Sequence, residues 1–237
     1  MAEQKFKGVN IMNTTQATRA DIKSRAKESL KGKYWQAVGV SLLVSVIAGA
    51  SSGIASALQA SENSVMSIIG FVLTWAVMLL VAIPISLGIT RYFIKLAKGE
   101  NAQVDDLFSI YKDGLGNAIL TVLLEGIYIM LWSLLFLVPG IIKTYSYFMI
   151  EYMVAENPNM DRKRAFEITK ATMAGDKWKA FVLGLSFIGW ILLCGITFGI
   201  GFIFLSPYIS ATMSHYYLDL KDKAVANGIA TAEEFNA

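Results

Sequence analysis

"YWQAVGVSLLVSVIAGASSGIASALQAS", residues 34–61, runs for 28 positions without a Lys, Arg, Asp or Glu. A helix that crosses a bilayer needs roughly 20 predominantly apolar residues. The run ends at Glu62, and another 28 uncharged residues fill 63–90 before Arg91. One such stretch could be a buried core helix of a soluble protein. Two in succession read as membrane spans, at about 34–58 and 65–90, and they set the fold class as an all-α, polytopic membrane helical bundle.

Composition agrees with that class. The chain of 237 residues is 55% hydrophobic and only 16% charged, whereas soluble domains carry about 25% charged residues. Working outward, residues 116–154 hold Glu125, Lys143 and Glu151 as their only charges, and residues 180–218 hold none. Either tract as a single helix would measure about 58 Å, nearly twice the roughly 30 Å hydrocarbon layer. Each is therefore expected to fold back on itself, giving spans at about 116–133, 138–155, 179–195 and 199–218. That makes six transmembrane helices arranged as three helical hairpins.

The basic residues support the same count. Of 21 Lys and Arg, eight precede the first span, four lie in 91–112, six in 162–179 and two near the end, leaving Lys143 alone inside a tract. Positive residues mark cytoplasmic segments, and six crossings put all four basic segments on one side with both termini cytoplasmic. Residues 1–18 read as a flexible N-terminal tail, 19–218 as the membrane domain and 219–237 as a cytoplasmic C-terminal tail. The first apolar stretch begins late and is too long for a signal peptide, so an uncleaved anchor is expected.

The basic segments also share a pattern. Ile22, Ala26 and Leu30 have helical spacing, with Thr18 and Asp21 placed for a capping box. Val104, Leu107, Phe108 and Tyr111 form a similar stripe, as do Phe166, Thr169 and Met173. Each reads as a short amphipathic helix at the membrane interface preceding a hairpin. The second span of each pair carries a proline (Pro84, Pro139, Pro207), expected to bend its helix. Aromatic or histidine side chains follow each proline at a fixed distance: Tyr92 and Phe93, Tyr147 and Phe148, His215 and Tyr216. The chain thus reads as three copies of one unit, interfacial helix followed by two spans.

The segments "ADIKSRAKESLKGKYWQAV", "DLFSIYKDG", "LVPGIIKTYSYFMIEYMVAENP", "AFEITKATMAGDKWKAFVLGLSFIGW" and "GIGFIFLSPYISATMSHYYLDL" together resemble the bacterial domain of unknown function family 975. The likeness covers roughly residues 19–218. It implies a multi-pass protein of the bacterial cell membrane and brings no catalytic residue with it.

Few residues can carry chemistry. Glu125 and Lys143 fall at similar depth on adjacent antiparallel spans, about 14 and 16 Å from one side. An ionisable group there is costly, so an intramembrane ion pair is expected, acting either as a staple of the hairpin or as part of an ion pathway. Ser210, Ser214 and His215 could continue a polar path along the last span, although an interfacial, satisfied histidine is the simpler reading. Ser41, Ser45, Gly49 and Gly53 recur every fourth residue, a small-residue stripe of the kind that packs helices.

Cys194 is the only cysteine and His215 the only histidine, so no metal site or cofactor is expected. Phosphate loops and nucleophile elbows are missing too. A non-enzymatic protein acting through lipid or membrane-partner contacts is the first reading, and a small transporter or channel the alternative. The net charge of +3, gathered on one face, favours anionic membrane lipid over nucleic acid. A second copy of the chain or another membrane protein are the alternative partners.

Overall fold

A computed structural model describes residues 17–236, so the N-terminal tail expected over 1–18 falls almost wholly outside the described residues. Among the described residues every regular element is helical. Helix α1 (Arg19–Leu30) starts at Thr18, whose Oγ1 accepts from the Asp21 backbone N–H at 3.2 Å while the Asp21 carboxylate accepts from the Thr18 N–H at 3.0 Å. That is the capping box expected from the sequence, and Ile22, Ala26 and Leu30 form the buried stripe. A turn through Gly32, at φ 79°, leads into α2 (Tyr34–Gln59).

Asn63 caps α3 (Ser64–Val77) by accepting from the Val65 N–H at 2.9 Å. A π-helical turn over Met78–Ala82 joins α3 to α4 (Ile83–Ala97) without a break, so that Ser64–Ala97 is one helix of 34 residues. A 3₁₀ turn (Val104–Phe108) and α5 (Ser109–Lys112) follow, and Gly114, at φ 71°, opens α6 (Leu115–Leu135).

Phe136 alone, in extended conformation, separates α6 from α7 (Leu137–Ser146). After α8 (Ile150–Glu156) and a short loop comes α9 (Arg162–Thr172). Gly175, at φ 95°, then turns the chain into α10 (Lys177–Leu185) and α11 (Ile188–Ile196). Helix α12 (Ile200–Ala226) and a 3₁₀ turn at Glu233–Phe235 close the chain.

Four helical stretches are long and apolar enough to cross a membrane: α2, the α3–α4 helix, α6, and α10 with α11. The other two expected spans differ. Residues 138–155 are divided between α7 and α8, of 10 and 7 residues, or about 15 and 10 Å at helical rise. The break coincides with a contact from another helix. Thr144 and Ser146 turn their hydroxyls back onto the Gly140 and Ile142 carbonyls, and Thr169 of α9 donates to the Ser146 carbonyl at the end of α7. Residues 199–218 lie within the single long helix α12, which Ser206, Pro207, Ser210, Ser214 and His215 make too polar to join the four.

Burial is strongly polarised along the molecule. Tyr92, Phe93 and Leu96 of α4, Met149 to Ala155 of α8 apart from Glu151 and Tyr152, and Tyr216, Tyr217 and Leu220 of α12 are buried, and α1, α5 and α9 close over them. Helix α4 packs on both α8 and α12, with α1 on α12, the 3₁₀ turn on α4 and α9 on α8. The opposite end is apolar and uncovered, with Leu134 80%, Phe136 72% and Phe198 99% exposed. Contiguous apolar surface on that scale is unfavourable against water and costs nothing against lipid.

The three prolines act differently from one another. Pro84 sits at the second position of α4, straight after the π turn. The carbonyl four residues earlier, Leu80, accepts from the Tyr111 hydroxyl at 2.7 Å. Pro207 lies inside α12, and the Tyr34 hydroxyl donates to the nearby Phe204 carbonyl at 2.9 Å. Pro139 does not kink a helix. It is the third residue of α7, where its missing N–H has no helical acceptor to lose, and the chain has already broken at Phe136.

Candidate functional site: a charged face and a basic cleft

The charged residues flanking the apolar helices converge on the packed end. Glu156, at the end of α8, is buried and has three partners. Lys98, just past α4, is ion-paired with it, Lys221 of α12 approaches at 2.9 Å and the Tyr217 hydroxyl donates at 2.5 Å. Burial alone would raise the Glu156 carboxyl, but Lys221, Lys98 and Tyr217 hold it below the usual carboxylate range. Asp176, ahead of α10, is likewise held low against its own burial by Lys223 and Lys179.

Further pairs extend this face. Arg25 of α1 grips Asp219 of α12 through both guanidinium nitrogens. Lys95 meets Asp106 at 2.5 Å, and Arg164 Nε meets Glu234 at 2.6 Å. The residues after 218 are therefore part of the fold: Phe235 is fully buried, and Asn157 donates to the Glu234 carbonyl at 3.1 Å. None of this hub was singled out from the sequence. Glu156 sits beside Asn157 and Pro158 and looks like an ordinary loop-flanking carboxylate.

The expected Glu125–Lys143 ion pair is not formed. Glu125 is buried on α6, and its Oε2 has no hydrogen-bond partner among the described residues. Lys143 rests its ammonium on the Trp132 ring, 4.5 Å from the centroid and two helical turns along α6 from Glu125. Gly140 of α7 lies against Ser133 of α6, so Lys143 is level with the end of α6 and not with Glu125, and the equal depth expected of the two charges is not met. With Ala118 and Thr121, Glu125 faces the packed interior. Lys143 instead points into a cleft. Glu151 is exposed at the surface.

The stripe of small residues on α2 is only partly used. Ser41 is buried, its Oγ without a partner among the described residues, whereas Ser45, Gly49 and Gly53 are exposed and a Cβ at either glycine would meet nothing described within 4 Å. Close approach occurs elsewhere. A Cβ at Gly70 would overlap the Leu58–Gln59 backbone, and one at Gly88 the Leu107 backbone. On α12, Ser214 is buried and its Oγ has no partner among the described residues, Ser210 is half-buried, and His215 Nε2 lies 3.2 Å from the Ser29 hydroxyl of α1. The histidine thus joins two elements. Among the described residues, no three His, Cys, Asp or Glu side chains are grouped to hold a metal ion.

Three clefts lie where one group of helices meets the next. One, of about 440 Å³, lies between α2 and the segment before the 3₁₀ turn and is lined by Gln36, Tyr92, Asn101 and Gln103. Another, of about 530 Å³, holds Lys27, Lys31, Tyr34, Trp190 and Tyr208 between α1 and α11–α12. The third and largest, about 740 Å³, lies between α6, α7 and α9 and contains Lys143, Arg162, Lys163 and Lys170 beside Tyr128 and Trp132.

An all-α chain with four membrane-length apolar helices, apolar surface at one end and interlocked charges at the other has the construction of a membrane protein. More particularly, the chain belongs to the family described as "Protein of unknown function (DUF975)", whose model matches residues 12–146 and 134–224. No curated protein and no solved structure matches it.

Proposed function

We propose that the chain is a multi-pass protein of the bacterial cell membrane, with six membrane-embedded legs in three hairpins and both ends on the cytoplasmic face. It acts without catalysis, through contacts with lipid or with membrane partners. One observation carries the topology. The ion pairs tie together residues before the first leg (Arg25), between the second and third (Lys98), between the fourth and fifth (Glu156) and after the sixth (Lys221). Such pairing supports legs that leave and re-enter the same face in pairs. With one apolar membrane-length helix in 115–156 and one in 177–223, the return legs are α7–α8 and the first half of α12.

The threefold reading has support from the backbone. Gly32, Gly114 and Gly175, each ahead of an apolar helix, all adopt positive φ. Each interfacial segment packs on the hairpin before it, α1 closing the ring onto α12. A surface this apolar at one end and this tightly paired at the other leaves lipid and membrane partners as the natural ligands.

Cysteine accessibility tests the topology. With Cys194 replaced, probes at Ser61, Trp132 and Gly199 are expected to label from outside intact cells, and one at Asn157 only after permeabilisation. External labelling at Asn157 would break the six-leg scheme.

A second reading, a small transporter or channel, has one observation in its favour. Glu125 is a buried carboxyl in a membrane-length helix whose Oε2 has no partner among the described residues, and such groups commonly mark ion or proton paths. Glu125→Gln that abolishes a proton-coupled flux in proteoliposomes, with the fold intact, would promote this reading over the first.

A further inference from the structure

Building on the lipid-contact reading above, we propose that the cleft between α6, α7 and α9 is a binding site for one anionic glycerophospholipid. Its phosphate would sit among Lys143, Arg162, Lys163 and Lys170, and its acyl chains along Tyr128 and Trp132.

The cations of this cleft are not neutralised from within. Among the described residues none of the four has a carboxylate within ion-pair distance. The two acids of the cleft, Asp161 and Glu167, are engaged elsewhere. Asp161 caps α9 by accepting from the Arg164 N–H at 2.9 Å, and Glu167 lies 3.6 Å from Arg164.

Aromatic rings hold two of the cations in place. Lys143 lies over Trp132 at 4.5 Å, and Lys170 lies 5.8 Å from both Tyr147 and Phe166. Tyr128, Tyr147 and Phe166 in turn pack edge-on or tilted against one another. A cation attracted to a ring face has already lost part of its side-chain freedom, so a phosphate that binds it meets a smaller ordering cost.

The walls favour a lipid over a soluble anion. Leu124, Tyr128 and Trp132 form the α6 wall of the cleft, with Tyr128 and Trp132 partly exposed, and the same helix carries uncovered Leu131, Leu134 and Leu135. Charge is thus concentrated at the α9 side and apolar surface at the α6 side, matching a headgroup and its chains. The equivalent cleft beside Gln36 and Gln103 contains no cation and serves as the natural contrast.

Native mass spectrometry of the full chain in detergent, titrated with phosphatidylglycerol or phosphatidylcholine, tests the assignment. Wild-type protein is expected to retain phosphatidylglycerol in preference, and K143Q/K170Q to bind it at least about tenfold more weakly, given roughly fivefold per surface cation. K143R/K170R, which keeps the charge, and K112Q, an exposed lysine outside the cleft, should behave as wild type. Should K143Q/K170Q not survive purification, K170Q alone, altered at an exposed side chain, should still weaken binding severalfold.

Undiminished phosphatidylglycerol binding by K143Q/K170Q overturns this cleft and leaves lipid contact elsewhere intact. Equal loss of both lipids overturns the charge-reading role. Displacement of phosphatidylglycerol by millimolar inorganic phosphate overturns the commitment to a lipid. Failure of wild-type protein to retain either lipid would overturn the wider lipid-contact reading itself.

Discussion

The Tyr111 hydroxyl donates to the Leu80 carbonyl at 2.7 Å, and Leu80 is the residue whose α-helical donor would be the N–H that Pro84 lacks. A tyrosine from the segment that follows the α3–α4 helix therefore satisfies the backbone acceptor that a proline leaves open inside it. Tyr34 donates to the Phe204 carbonyl, the one next to the Ile203 carbonyl that Pro207 leaves without its helical donor. In a medium without water such a carbonyl has few other donors, so the proline and the distant tyrosine are parts of one feature.

Removing that hydroxyl should be felt. Tyr111→Phe keeps the ring and deletes one hydrogen bond, with an expected loss of about 1 kcal/mol. Tyr34→Phe should cost a similar amount, and the two sites share no partner, so the losses should add. Thermal unfolding in mild detergent reads both. Unchanged midpoints would mean that lipid or detergent headgroups serve the carbonyls equally well.

The charged hub makes a second expectation. Glu156→Gln leaves Lys98 and Lys221 without their shared carboxylate at a buried position, and breaking such a cluster costs about 3 kcal/mol. The glutamine variant should therefore unfold well below wild type. Lys98→Met, which leaves Glu156 still paired with Lys221, should lie between them. If Lys98→Met is the more harmful of the two, Glu156 is not the centre of the cluster.

The same carboxylates predict an acid limit. Both Glu156 and Asp176 are held below their ordinary range, by Lys221, Lys98 and Tyr217 and by Lys223 and Lys179, against the opposing pull of burial. A carboxyl depressed on folding adds stability above its unfolded value, near pH 4, and that stability is lost as pH falls through the folded value. Stability from these groups should be flat from neutrality down to about pH 5 and fall below about pH 4. Glu156→Gln should flatten the acid limb. An acid limb as steep as wild type in that variant would assign the titration to other groups.

What was legible in the sequence follows from one-dimensional signals. Length without charge identified α2, α3–α4 and α6, and the Thr18–Asp21 spacing located the start of α1. The division of 138–155 coincides with Thr169 reaching the Ser146 carbonyl from a separate helix, which no local pattern encodes. Lys143 stood out as an anomaly, but its level in the hairpin, two turns from Glu125, is set by the one-residue reversal at Phe136. Glu156 went unnoticed because its partners come from positions 98, 217 and 221. Such a site exists only once the helices have closed.

Helix contact offers a fourth expectation, because the four-residue stripe and the structure point to different glycines. Gly88→Ala forces a Cβ into the Leu107 backbone, which cannot yield without moving the 3₁₀ turn, and should destabilise by about 1–3 kcal/mol. Gly49→Ala meets open space and should be neutral, or stabilising by up to about 1 kcal/mol through helix propensity. Comparing the two midpoints checks this directly. A harmful Gly49→Ala would instead place that face of α2 against a second copy or a partner in the membrane.

Glu125 and Lys143 can be separated by the same kind of measurement. In an ion pair each single change strands the other charge, so a double-mutant cycle shows strong coupling. Here the carboxyl faces the interior beside Thr121, and the ammonium lies over Trp132 in the cleft. Glu125→Gln and Lys143→Gln should therefore add to within about 0.5 kcal/mol. Lys143→Gln should carry the loss of the Trp132 contact, about 0.5–2 kcal/mol depending on how dry the cleft is, and Trp132→Leu should abolish its effect while leaving that of Glu125→Gln unchanged. A coupling above about 1 kcal/mol between Glu125 and Lys143 would mean that the pair forms after all. The basic cleft would then lose one of the two cations positioned over its rings.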